Sequence, residues 1–179
     1  MIRLKTFYFL NVTFLVLVLG CSSLEVIPEP NLNQITVKSE PLCLSWNWHP
    51  FCVVSKPNSI QLIGVFNNST LEKKYFLDYY LDSFDTDLPV GVSLKVDGVY
   101  YNLRKSATDY VDTLKISSEL SEEVVTKLKA TKNSISLSYS SRKNTLNFDF
   151  SSRQTDKFIQ DLTELTNKTT NLQKLKIVK

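Results

Sequence analysis

The clearest regularity of the chain is an alternation of apolar and polar side chains, the period of a strand with one buried face. It is best developed in residues 92–97, where Val92, Leu94 and Val96 alternate with polar residues. The pair Asp97 and Gly98 follows, and these residue types tolerate the positive φ angles of tight hairpin turns. The pattern therefore predicts a hairpin into residues 99–103.

The same period recurs elsewhere. A second hairpin is predicted where Ile135, Leu137 and Tyr139 alternate with serines and a later run alternates apolar residues with Asn147 and Asp149. Two other short runs, rich in β-branched or aromatic residues, are also predicted strands. The predicted strands cover residues 60–66, 73–82, 92–97, 99–103, 135–139 and 146–150.

Two stretches have a helical period instead. Residues 120–132 offer Ser121 as an N-cap, acids in the first turn and lysines at the end, which suits the helix dipole. Residues 152–168 space their apolar residues by three or four, with Thr155 as a candidate cap. We therefore expect a mainly β (α+β) fold: an antiparallel β-sandwich-like sheet with two short covering helices, in one globular domain over residues 35–167.

The flanks of this domain lack either period. Residues 21–34 contain Pro28 and Pro30 and few large apolar groups, which predicts a flexible tether. Residues 168–179 carry four lysines and no acid, which predicts a basic C-terminal tail. A solvated terminus is the preferred interpretation of that tail, and attraction to an anionic surface is the alternative.

The first twenty residues have the order of a secretory signal peptide: basic Arg3 and Lys5, an apolar run over residues 7–19, and the small Gly20. The apolar run is too short for a bilayer-crossing helix, which needs about 20 residues. The residues Val-Leu-Gly-Cys at 18–21 resemble the lipobox of bacterial lipoproteins. That resemblance implies cleavage before Cys21 and attachment of diacylglycerol to its sulfur.

This resemblance also sets the expected location. Acyl chains on Cys21 would anchor the protein to a membrane of the cell envelope, and Ser22 in place of an aspartate implies the outer membrane. The alternatives are an unlipidated protein with an ordinary cleaved leader and, less favoured, a membrane span. Without residues 1–20 the chain has 19 basic against 18 acidic residues, rather than 21 against 18. A nearly neutral chain gives no reason to expect a nucleic-acid partner.

Beyond Cys21, only Cys43 and Cys52 remain, and an exported protein favours a disulfide between them. A tight hairpin turning at His49 and Pro50 would place Cys52 opposite Asn47, about 13 Å from Cys43 and out of bonding range. Either the cysteines stay unpaired or the stretch forms a wider, cystine-closed loop. We favour the loop.

That loop holds the densest aromatic group of the chain: Trp46, Trp48, His49 and Phe51. Exposed tryptophans are frequent anchors in partner binding, so these residues are the predicted partner-binding site. Packing of Trp46 and Trp48 in the core is the alternative, and it is the usual place for such a stripe.

Signals for chemistry are sparse. His49 is the single histidine, no nucleophile motif or phosphate-binding glycine loop accompanies it, and zinc ligands are too few. Asp78, Asp82, Asp85 and Asp87 could offer oxygens to calcium, but a solvated loop is the preferred interpretation. We expect no catalytic residue, metal or cofactor. An envelope enzyme, or its accessory subunit, using a carboxylate pair such as Asp85 and Asp87 is the alternative.

Three stretches together are similar to the invasion-associated locus B family of bacterial envelope proteins, over roughly residues 44–166. They are "DLPVGVSLKVDG", "LSEEVVTKLKATKNSISLSYS" and "NTLNFDFSSRQTDKFIQDL". The family resemblance implies a β-rich envelope protein linked to host contact, with no catalytic residues to transfer. The sequence thus favours a membrane-anchored binding or structural module with a protein partner in the envelope or the host.

Overall fold

A computed structural model describes residues 24–44, 58–81, 89–110 and 114–177. Within these ranges the chain forms mostly strands. The strands are β1 (Glu25–Glu29), β2 (Gln34–Lys38), β3 (Leu42–Cys43), β4 (Ser59–Asn67), β5 (Lys73–Tyr80), β6 (Pro89–Val96), β7 (Val99–Asn102), β8 (Arg104–Tyr110), β9 (Leu114–Leu120), β10 (Ile135–Ser141) and β11 (Thr145–Asp149). The helices are α1 (Glu122–Ala130) and α2 (Ser152–Ile177).

The strands form two antiparallel sheets. The large sheet has the order β1-β2-β4-β5-β9-β8, and β3 pairs with β4 on the same side as β2. The small sheet has the order β11-β10-β6-β7. This arrangement confirms the predicted mainly β, sandwich-like fold with helices. Both predicted hairpins are also confirmed, and Asp97 and Gly98 turn the first with φ angles of 51° and 86°.

The core lies between the two sheets because the alternating apolar residues of each face the other. Leu77 and Ile116 of the large sheet and Leu94 and Leu137 of the small sheet are fully buried. Tyr79 of β5 lies against the small sheet, with its ring centroid 5.2 Å from that of Tyr139. The opposite face of the large sheet carries polar side chains together with a few apolar ones.

Helix α2 covers the part of the large sheet's apolar face around β4. Gly64 permits the close approach, because a Cβ atom there would lie 2.8 Å from Leu165 Cδ2 and 2.9 Å from Thr169 Cγ2. Helix α1 begins as predicted, with Ser121 Oγ accepting a hydrogen bond from Val124 N at 3.4 Å.

The start of α2 differs from the prediction. Thr155 is buried inside the helix, and Ser151 supplies the cap instead. Ser151 Oγ accepts from Gln154 N at 3.3 Å, and Gln154 Oε1 accepts from Ser151 N at 2.8 Å. This reciprocal pair is a capping box, which satisfies two backbone N–H groups at once.

The predicted boundaries of the domain were also wrong at its N-terminal side. Residues expected in a flexible tether form β1, which pairs along its whole length with β2. The prolines are compatible with this because β1 is an edge strand, where a missing N–H costs no ladder bond, and Pro30 opens a short 3₁₀ turn. Asn33 then closes the turn with a φ angle of 50°.

The C-terminal side needs a similar correction, because most of the expected basic tail is helix. Helix α2 is 26 residues long rather than short, and it ends at Ile177. Leu172 packs against the core, and Gln173 Nε2 donates to the carbonyl oxygen of Leu71 at 3.0 Å. In the described part of the chain, no helix is both long and apolar enough to cross a membrane. The predicted signal peptide and Cys21 lie outside the described residues.

Candidate functional site

The face of the large sheet that points away from the core forms a groove. Strand pairing aligns Gln61 of β4, Asp78 of β5 and Ser117 of β9 in one row on that face. Side chains from β1, β2, β4, β5, β8 and β9 line a single cavity of about 300 Å³. Since the strands at both edges of the sheet reach this cavity, the sheet curls around it.

Asp78 lies at the centre of the groove. It is only 5% exposed, and its Oδ1 accepts a hydrogen bond from Ser117 Oγ at 2.5 Å. Lys115 Nζ lies 3.5 Å from Asp78 Oδ2 and 3.8 Å from Asp109 Oδ2. Burial raises the pKa of Asp78 above its usual range, and the contacts with Ser117 and Lys115 reduce that rise. The groove therefore contains a carboxyl group that takes up a proton more readily than a solvated aspartate.

Tyr80 and Gln61 form a second polar unit beside Asp78. Tyr80 OH donates to Gln61 Oε1 at 3.2 Å, and Gln61 Nε2 donates to the carbonyl oxygen of Ser39 at 2.7 Å. Burial, reinforced by the charges of Asp78 and Asp109, raises the pKa of Tyr80 to about 12. The phenol consequently keeps its proton at neutral pH, and the two hydrogen bonds fix the orientation of the amide.

Glu29 stands at the β1 side of the groove in a different state. It accepts hydrogen bonds from Thr36 Oγ1 at 2.5 Å and from Gln34 Nε2 at 3.1 Å. These two hydrogen bonds, with a smaller contribution from the charge of Lys38, lower the pKa of Glu29. This carboxylate is thus held ionised, whereas burial favours the protonated form of Asp78.

Apolar side chains complete the wall: Ile63, Val65 and Phe76 line the groove between the polar groups. With two carboxylates and two lysines, Lys38 and Lys115, the lining is balanced in formal charge. Such a surface can donate and accept hydrogen bonds and can contact apolar parts of a ligand. Among the described residues, no group of three or more His, Cys, Asp or Glu side chains is placed to hold a metal ion.

Backbone hydrogen bonds connect the residues that flank the predicted partner-binding segment to each other and to Tyr80 of the groove. Leu44 N donates to the carbonyl oxygen of Asn58 at 2.8 Å. Asn58 N in turn donates to the carbonyl oxygen of Tyr80, also at 2.8 Å. Trp46, Trp48, His49, Phe51 and Cys52 lie outside the described residues, so their roles, and the disulfide with Cys43, stay predictions.

Sequence reasoning missed most of the groove. The predicted strand over residues 73–82 contains Asp78, as β5 does, but the interpretation of this residue as part of a solvated acidic loop is wrong. Asp78 is buried on the face of the sheet opposite to that of its neighbours Leu77 and Tyr79. Asp82, Asp85 and Asp87 lie outside the described residues. A usable signal was Gln61, the one strongly polar residue in the apolar run of residues 60–66.

Comparison with known proteins gives no relative: no protein-family model, no curated protein and no solved structure matches this chain. The resemblances to bacterial lipoproteins and to the locus B family therefore stay predictions from sequence.

Proposed function

We propose that this protein is a lipid-anchored binding protein of the bacterial cell envelope, and that its ligand occupies the groove of the large sheet. The observation that carries the proposal is the row formed by Gln61, Asp78 and Ser117. Two of its members, Gln61 and Asp78, are buried polar side chains on the sheet face away from the core. Burying polar groups costs stability unless they are satisfied, and their collection in a concave site is typical of ligand binding.

The lining favours a ligand with mixed charge. An ammonium group on the ligand would fit beside Glu29, and a carboxylate would fit beside Lys38 or Lys115, all of which line the cavity. Ile63, Val65 and Phe76 would contact apolar edges of sugar rings or side chains. Peptidoglycan fragments carry sugar hydroxyls, amides and charges of both signs, so we infer that a polar envelope polymer of this kind is the ligand class.

The described residues that flank residues 45–57 support a combined surface. One of these flanking residues, Asn58, is hydrogen-bonded to Tyr80, which lines the groove. In this proposal Trp46, Trp48, His49 and Phe51 recognise a protein partner of the envelope or the host.

The experiment for the groove is a titration of the full chain with a soluble disaccharide-peptide from peptidoglycan, followed by amide chemical shifts. We expect shifts in β4, β5 and β9. Asp78→Asn and Tyr80→Phe should each weaken binding by about threefold to tenfold, the equivalent of one hydrogen bond. Ser93→Ala is the matched control, because Ser93 Oγ donates a hydrogen bond to Asn102 Oδ1 on the outer face of the small sheet. Absence of shifts, or shifts confined to the small sheet, would refute the groove as the site.

The anchor has its own test. The mass of the N-terminal peptide of the processed protein should equal that of a peptide starting at a diacylglyceryl Cys21. Protease treatment of intact cells then separates two partner environments. Digestion from outside would direct the search to host or matrix ligands, and protection would direct it to envelope assembly partners.

A second candidate function is hydrolysis of the same polymers. It is favoured by one observation: Glu29 and Asp78 line one groove, and their pKa values are shifted in opposite directions. Such a divergence is a feature of acid and base pairs in enzymes. Cleavage products in the titration above, lost in both Glu29→Gln and Asp78→Asn, would establish the enzyme.

A further inference from the structure

The first strand begins very close to the proposed lipid attachment site. Leu24 already packs against the core, and β1 starts at Glu25. Only Ser22 and Ser23 therefore separate Cys21 from the folded domain. Three peptide units span at most about 11 Å, so Leu24 cannot lie farther than that from the Cα atom of a lipidated Cys21.

The surface beside Leu24 is the free edge of the large sheet. In the described part of the chain β1 pairs only with β2, which leaves its other side without a strand. The strand is about 14 Å long, which is comparable with the distance of about 11 Å that the chain from Cys21 to Leu24 can span. Two exposed apolar side chains mark its ends: Val26 is 41% exposed, and Leu32, in the turn after β1, is 60% exposed.

We propose that the lipid on Cys21 holds the β1 edge against the bilayer, with Val26 and Leu32 in contact with the headgroup region. This inference rests on the lipid anchor of the proposed function. Close to the anchor, the exposed acidic Glu25 lies directly opposite the basic Lys38 of β2. The formal charges of this pair cancel, so the surface that fits is a zwitterionic one, such as phosphatidylethanolamine.

This orientation has a consequence for the groove. Glu29, Gln34 and Thr36 of β1 and β2 form one of its walls. That wall would lie beside the membrane, while the wall formed by β8 and β9 would face the aqueous compartment. A ligand would therefore be bound at the membrane surface rather than at the end of a long tether.

Paramagnetic broadening tests the orientation. The full chain is produced in a bacterium, and the processed protein is placed in phosphatidylethanolamine nanodiscs containing a lipid with a headgroup nitroxide. Amide signals of β1 and of residues 31–32 should lose most of their intensity, whereas those of β8, at the opposite edge of the sheet, should keep theirs. Equal intensities at the two edges on a lipidated chain would overturn the proposal.

A change in tether length provides the second test. A flexible Gly-Ser insertion between Ser23 and Leu24 should restore the β1 signals severalfold, and the same sequence appended after Lys179 should not. Persistent broadening despite the insertion would mean that the tether does not set the orientation. An N-terminal peptide without lipid would overturn the anchor itself and this inference with it. A lipidated peptide without broadening would overturn the orientation alone.

Discussion

At the scale of single residues, the buried carboxyl of Asp78 links the stability of the fold to pH. Its pKa in the folded state is raised above the ordinary 3.8, chiefly by burial. The folded state therefore binds the proton more tightly than the unfolded state. The stabilisation is complete below the ordinary pKa and is lost as pH rises through the raised one.

Replacing Asp78 by asparagine should remove this dependence. We expect the free energy of unfolding of the wild type, relative to Asp78→Asn, to fall as the pH is raised from below 3.8 toward neutrality. Urea unfolding over that range measures it. Asp109→Asn is the matched control, since the Asp109 side chain is 51% exposed and also lies near Lys115. A relative free energy that rises with pH would contradict the burial argument.

Gly64 is a second residue at which a substitution should lower the stability of the fold. Its Cβ position is filled by Leu165 and Thr169, which are both fully buried and have little room to move. Gly64→Ala should therefore lower the free energy of unfolding by about 1–3 kcal/mol, the usual cost of overpacking.

The control is Gly91→Ala, because an added Cβ there meets no atom within 4 Å. That variant should be neutral or more stable by up to about 1 kcal/mol, through the entropy of the unfolded chain. Chemical denaturation of both variants gives the comparison. Equal losses would show that the contact with α2 is not the cause.

At the scale of elements, the N-terminus of α2 depends on its capping box. Ser151→Ala should cost about 0.5–2 kcal/mol of stability. Gln154→Ala should also be destabilising, because Gln154 Nε2 additionally donates to the carbonyl oxygen of Cys43 at 2.7 Å. The double variant should lose less than the sum of the single losses, as expected when two side chains satisfy one another.

Ser152→Ala is the matched control for the cap. Ser152 is exposed and occupies the first helical position, so its replacement should change the free energy of unfolding by less than about 0.5 kcal/mol. Strictly additive losses at Ser151 and Gln154 would argue against the reciprocal bonds.

Some strands could be predicted from the sequence alone. Alternation over residues 92–97 and 135–139 identified β6 and β10 because each buries one complete face in the core. The same rule failed at β1, because its side chains alternate only between exposed and partly buried positions and neither face is fully buried. Its Pro28 is tolerated because the strand lies at an edge. An edge position is a property of the assembled sheet, and the sequence of the strand does not encode it.

At the scale of the whole molecule, the groove follows from register and curvature. Gln61, Asp78 and Ser117 are far apart in sequence, and they meet because three strands pair with a particular alignment. The polar character of each position was visible in the sequence. Their convergence was not, because it depends on which strands become neighbours and on how strongly the large sheet curls.

The packing of the large sheet against the small sheet predicts that the two sheets unfold together, as one cooperative unit. Tyr79 joins the two sheets: its ring centroid lies 5.2 Å from that of Tyr139 and 6.2 Å from that of Phe148. Its hydroxyl donates to Asn58 Oδ1 at 2.7 Å. A destabilising substitution of Tyr79 should therefore lower the free energy of unfolding of both sheets by the same amount.

Tyr79→Phe should lower the free energy of unfolding by about 0.5–1.5 kcal/mol through the lost hydrogen bond. Tyr79→Ala should lower it by about 3–5 kcal/mol, because the cavity removes contacts on both sides of the core. Native-state hydrogen exchange of β4 and β5 amides on one side, and of β6 and β10 amides on the other, measures each sheet separately. If the sheets unfold as one unit, both sets shift by the same free energy in Tyr79→Phe. A shift confined to the large sheet would mean that the sandwich consists of two independently stable layers.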